Sequence, residues 1–254
     1  MGWARVWGAA AVVLVGTCAG CSPKDAEPYR LPEYLHVSFR WSADPGIEVR
    51  SAPAAVVRGF VESSFVAWAT NTTFLHEGVA DTTYPGFRVF FDNAETSRTL
   101  YFGKFGHEVI AADRPAFGTM YAHFVDLDQQ PDGGWRAGVC TWADAVVTQR
   151  GPREFQPFGA NALNPHWTTL DFRRATDRPV AVPTLSGPAR YPTDDVFEGW
   201  VLRDTTITEK WSTRASSDPC ATVENPVPPE LRNPQPFRQP AALPELPPEP
   251  GWPE

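Results

Sequence analysis

Residues 51–69 constrain this chain more than any other stretch, because Val57, Phe60, Val61, Ser64, Phe65 and Trp68 recur there at three- and four-residue spacing. That period puts them on one face of a long α-helix, with Ser51 placed to cap it and Pro53 tolerated in its first turn. An amphipathic helix of this length needs a surface to pack on. The rest of the chain offers one. A shorter helix is expected over 87–94, where Phe87, Phe90 and Phe91 share a face. Short segments rich in aromatic and β-branched residues follow at 99–102, 119–127, 135–147, 167–173 and 196–203, with 205–211 continuing the last. Residues 126–134 read as a hairpin loop around Asp132 and Gly133, and 151–164 and 179–194 read as longer loops. Helices followed by antiparallel strands indicate an α+β domain.

The N-terminus reads as an address. Residues 1–7 carry one Arg and no acid, and residues 8–16 form a small apolar run too short to span a bilayer. Thr17-Cys18-Ala19-Gly20-Cys21-Ser22 then resembles the lipobox of bacterial lipoproteins, in which small residues before an obligatory Cys direct cleavage and acylation. The resemblance implies a signal peptide at 1–20 and a lipid-bearing (palmitoylated) Cys21, which makes a secreted protein anchored to the outer face of the cell membrane. Cys18 is the second candidate, standing where the family usually has an aliphatic residue, and a plain secretory signal is the other alternative. Two or three acyl chains hold durably at about 0.8 kcal/mol per buried methylene.

Both flanks of the mature chain are expected to be disordered. Residues 21–32 form a polar, proline-containing tether, and 224–254 a Pro-rich tail in which missing N–H donors disfavour helix and sheet. The single folded domain is then 33–223. Its order of N-terminal amphipathic helices and curved antiparallel meander, with Trp135-Arg-Ala-Gly-Val-Cys-Thr-Trp142 in it, resembles the NTF2-like cone. Together with the lipobox it is similar to secreted lipoproteins of actinobacteria.

Export sets the redox context, so Cys140 and Cys220, the cysteines left after Cys21, are expected to pair. The alternative is a buried free thiol at Cys140 with Cys220 exposed. No metal site or cofactor is expected. His76-Glu77 and His107-Glu108 lack the second His of a helical zinc site, and Asp126, Asp128 and Asp132 lack calcium-loop spacing. Nucleophile-elbow and phosphate-loop motifs are missing too. The net charge of -8, with no Lys/Arg run longer than two, argues against nucleic acid.

The resemblance to cone-fold enzymes makes His123 and Asp144, beside Trp142, the candidate pocket, because such enzymes use a carboxylate or His as general base in an apolar site. Trp68, Trp135, Trp142, Trp167, Trp200 and Trp211 suit either a groove for lipid or glycan or a packed core, and core is favoured. Phe65, Trp68 and Trp142 are expected in one core. The expected function is a noncatalytic envelope lipoprotein that binds an apolar ligand or another envelope protein. The alternative is a small envelope isomerase or hydrolase using His123 or Asp144.

Overall fold

The computed structural model describes residues 29–70, 81–95, 114–158, 165–175, 185–208, 219–232 and 241–254. Strand β1 (Leu35–Ala43) comes first, followed by helices α1 (Ala52–Ala69) and α2 (Phe87–Asp92). Then come β2 (Ala116–Gln129), β3 (Trp135–Trp142), β4 (Val146–Gly151), β5 (Glu154–Pro157), β6 (His166–Arg174) and β7 (Trp200–Thr208). The sheet runs β5-β4-β2-β3-β6-β7, and β1 lies parallel on β2. This is a mixed α+β architecture on a strongly curled, mostly antiparallel sheet.

Two differences from the sequence reading have physical causes. The first element is a strand rather than a helix: residues 35–43 alternate buried and less buried positions with only nine residues, too few to stand out beside α1. The segment 151–164, expected as a loop, supplies β5. The strand expected at 99–102 lies outside the described residues.

The curl is built into the strands. Register shifts interrupt the pairings at Phe124/Asp126, Gln149/Gly151 and Asp171/Phe172, and each such bulge bends its strand. A further break separates β3 from β4, which share one edge of β2. There Gly118 takes φ +130°, and a Cβ on it would stand 1.9 Å from the Ala145 carbonyl oxygen. The Asp132-Gly133 turn closes the β2–β3 hairpin through Gln130 N–H to Gly134 O at 2.8 Å.

The two faces of the sheet carry separate cores. On one, Val37 and Phe39 of β1, Met120, Ala122 and Phe124 of β2, Val139, Leu170, Phe172 and Leu202 meet α1 and α2. Phe65 packs edge-on to Phe39 at 5.5 Å and against Phe158 at 4.9 Å, and Trp68 stands edge-on to the same Phe158. On the other face Tyr121, Cys140, Trp142, Ala145, Cys220 and Val227 cluster beneath residues 219–232. Trp142 therefore does not share a core with Phe65 and Trp68. The two-residue period of β3 sends Val139 to the helix side and Cys140 and Trp142 to the other.

Helix α1 corrects a second expectation. It buries every residue from Ala54 to Ala67, including Arg58 and Glu62, and not merely an apolar stripe. Its far side is covered by Phe197, by Leu185 and by Trp252 from the end of the chain. Gly59 permits that approach, for a Cβ there would stand 2.7 Å from Val196. Part of the tail expected to be disordered is thus held against the domain, with Gly251 and Trp252 buried and Trp252 only 1% exposed.

Candidate functional site

The most unusual chemistry of the described residues is a carboxylate inside the domain. Glu62, 1% exposed, follows Arg58 by one helical turn on α1. Trp41 of β1 donates its indole N–H to Glu62 Oε1 at 2.8 Å. Tyr84 O–H and Trp252 Nε1–H both donate to Oε2, at 3.0 and 2.8 Å. Burial pushes the Glu62 carboxyl above its ordinary range, while Arg58 and the three donors pull it back. Burial in turn lowers the Arg58 guanidinium, and Glu62 opposes it.

Arg58 holds the other half of the site. Its Nη1 donates to the Leu185 carbonyl at 3.2 Å, and its Nη2 to the carbonyls of Pro250 and Gly251 at 2.7 and 3.2 Å. The guanidinium also lies 4.2 Å from the Trp252 ring centroid, within cation–π range. Because both Glu62 oxygens are engaged by hydrogen-bond donors, the carboxylate is set up to fix partners rather than to take protons from a substrate.

Around this hub the end of the chain forms a strap. It starts on the sheet face away from α1, where Leu246 packs toward the Trp142 cluster and donates its N–H to Thr119 Oγ1 at 2.9 Å. It crosses the free edge of β1, where Glu249 N–H donates to Phe39 O at 3.1 Å and Trp41 N–H to Glu249 O at 2.6 Å. It ends beside α1, where Trp252 exchanges backbone hydrogen bonds with Ala189 at 2.8 and 3.0 Å.

The sequence-derived pocket residues do not converge in the interior. His123, Trp142 and Asp144 belong with the sheet face turned from α1. His123 is the register partner of Ser42, whose Oγ lies 2.9 Å from Nδ1, and its Nε2 lies 3.2 Å from Asp44 Oδ1. Asp144 is 4% exposed and accepts from Asn225 Nδ2 at 3.0 Å, and burial raises its carboxyl. Residues 219–232 cover both it and Trp142. Cys140 and Cys220 form a disulfide with Cα atoms 5.6 Å apart, pinning that cover to β3.

Of the other tryptophans, Trp200 is buried against Phe172 with Arg174 stacked on it, and Trp135 and Trp167 are partly buried against the two cores. Cys21, Cys18, His76, His107 and Trp211 lie outside the described residues. Asp126 and Asp128 sit on β2, and Asp132 bonds Arg203 at 2.5 Å. Among the described residues no group of three His, Cys, Asp or Glu side chains is placed to hold a metal ion, and no helix is long and apolar enough to cross a membrane.

Sequence reasoning missed Arg58, Glu62 and Trp252. A signal was present: Ala55, Gly59 and Ser63 repeat at four-residue spacing beside Arg58 and Glu62, a run of small residues that suits close cover of that side. No protein-family model matches the chain, and no curated protein or solved structure matches it either.

Proposed function

We propose that this protein is a noncatalytic lipoprotein of a bacterial cell envelope, anchored through Cys21, whose NTF2-like domain docks another envelope protein on its surface. The observation that carries this reading is the aromatic packing between helices and sheet among the described residues. Phe39, Phe65 and Phe158 pack as one group and Phe60, Phe87 and Phe90 as another, where a ligand-binding cone would hold its guest. Glu62, the buried carboxylate on that side among the described residues, already accepts three hydrogen bonds. Recognition then belongs to the outside of the domain.

Two measurements test it. Cells fed radioactive palmitate should label the wild type and not Cys21→Ala, and equal labelling would remove the anchor. The purified domain should leave a fluorescent fatty acid unbound. Saturable binding at micromolar concentration would replace docking by carriage of an apolar ligand.

The contact of Ser42, His123 and Asp44 favours one other reading, a small envelope hydrolase. A hydroxyl on one imidazole nitrogen and a carboxylate on the other is the order of nucleophile, base and orienting group. The plainer reading is a cross-strand pair tying the end of β1 to β2. A fluorophosphonate probe decides: labelling that disappears in Ser42→Ala would establish a nucleophile, and an unlabelled protein would dismiss the hydrolase.

A further inference from the structure

We infer that the edge of β1 and the outer side of α1 form a peptide-binding groove, and that residues 245–252 occupy it as a dissociable ligand which a second copy of the chain can also supply. The inference deepens the docking reading by naming the surface and the chemistry it recognises: an acidic, proline-rich extended segment ending in a tryptophan anchor.

The contacts combine one buried anchor, Trp252, with a run of polar contacts of the kind that read an extended peptide. Backbone groups of Leu246, Pro247, Glu249, Pro250, Gly251 and Trp252 meet side chains or strand edges. Arg190 pairs with Glu245 at 2.5 Å, and Thr119 accepts the Leu246 N–H. Arg40 donates to the Pro247 carbonyl at 2.9 Å and also pairs with the Glu249 carboxylate. Glu249 adds one residue of parallel pairing to β1, and Arg58 takes the next two carbonyls. Three arginines therefore read the carboxylates and backbone carbonyls of a segment whose prolines cannot donate. This combines strand addition at a sheet edge with the capture of a proline-rich extended chain.

Specificity comes from the last pocket. Ala55, Leu185, Arg58 and Glu62 surround Trp252, so the site offers an apolar slot, a cation over the ring and an acceptor for the indole N–H. Phenylalanine would leave that acceptor short of a donor. The seven named strands pair with one another without the strap, which at the sheet adds to the outer edge of β1 alone. Arg190 shares that cover, donating to the Leu35 and Val37 carbonyls at 2.7 and 3.2 Å.

Because a second copy carries the same residues, every contact is the same in trans. Occupancy then depends on local concentration, weighed against the roughly millimolar effective concentration of a tethered segment. Crowding of lipid-anchored copies on one membrane raises the trans term.

The test keeps the chain whole until a single cut. Replace the exposed pair Ala241-Ala242 by a protease site, cleave, and follow the released segment by native mass spectrometry. Add a fluorescent peptide of residues 243–254. The groove is expected to exchange its own segment for the label within hours. A labelled Trp252→Ala peptide should compete roughly thirtyfold or more weakly, as befits a buried aromatic anchor. Arg40→Ala in the partly exposed part of the groove should weaken capture several-fold while the domain stays folded. A cut strap that never exchanges, or a cut domain that unfolds and is not restored by peptide, would make the segment an integral part of the core and overturn the inference. Neither result depends on the lipid anchor, which labelling at Cys21 tests separately.

Discussion

The two faces of the sheet are held by different physics. The face toward α1 and α2 buries a continuous apolar layer drawn from both helices and most strands, whereas the hydrophobic cluster on the opposite face has six buried members among the described residues. Hydrophobic stabilisation scales with the area removed from water, about 25 cal/mol per Å². The small cluster therefore gains less from burial, and there the chain adds a covalent tie between Cys140 and Cys220. The strap reaches both sides of the domain, with Leu246 against the small cluster and Trp252 against the outer side of α1. A sheet buried unequally can be fastened where its apolar area runs short.

The strongest way to break that contrast is on the helix side. Phe65 is 2% exposed and packs against three aromatic rings. Phe65→Ala should destabilise the domain by about 5 kcal/mol, near the top of the range for buried aromatics, and helical and near-ultraviolet signals should be lost together in urea. The disulfide comes next. It closes a loop with a sequence separation of 80 residues, and the chain-entropy account gives about 4 kcal/mol for its removal. Cys140→Ala with Cys220→Ala should lower the midpoint accordingly and speed proteolysis within 219–232. Protection of that segment unchanged from the wild type would show that burial alone holds it.

Trp142→Ala sharpens the comparison. Its ring is 2% exposed but covered by a single short segment that can settle into the space left. The loss should be about 3 kcal/mol, smaller than at Phe65. Equal losses at the two positions would mean that both clusters unfold as one well-packed core. Glu62→Gln acts on the hub instead. The amide keeps an acceptor for Trp41 but turns an N–H₂ toward Tyr84 and Trp252, so about 2 kcal/mol should be lost. Hydrogen exchange should rise first at residues 249–252, and uniform exchange through the domain would deny the hub any special hold on the strap.

How much of this was legible depended on periodicity. Residues 51–69 announced α1 because five large apolar side chains and Ser64 kept helical spacing, and Asp132-Gly133 announced its hairpin. The Cys140–Cys220 bridge followed from export and elimination. The strap was not legible, since five prolines in 241–254 read as a chain unable to donate hydrogen bonds. The fold uses that segment chiefly as an acceptor, with arginines as the donors. Arg58 and Glu62 were hidden for a related reason. A charged pair one helical turn apart has the spacing of a solvent-facing pair, and the cover that buries it comes from nearly two hundred residues further on. His123 and Asp144 suggested a pocket because their strands are adjacent, but strand alternation and the break between β3 and β4 turned them away from the interior.

The smallest effect separates the faces by pH. His166, at the start of β6, lies on the same alternation as Leu170 and Phe172, and burial lowers its pKa from 6.5 to about 4. The folded state thus resists the proton that the unfolded chain accepts. Stability from this group is fully present above about pH 6.5 and is lost as pH falls toward 4. The buried carboxyls of Glu62 and Asp144 are raised instead, so their contribution has the opposite sign: it is present at low pH and lost as pH rises through their folded values. His166→Gln removes the first trend and leaves the second. Urea midpoints measured from pH 7 down to pH 4 should therefore fall less steeply in the variant, and could rise if the carboxyls dominate. Parallel curves for variant and wild type would show that the imidazole is solvated in solution, and the helix-side face would then be open at the start of β6.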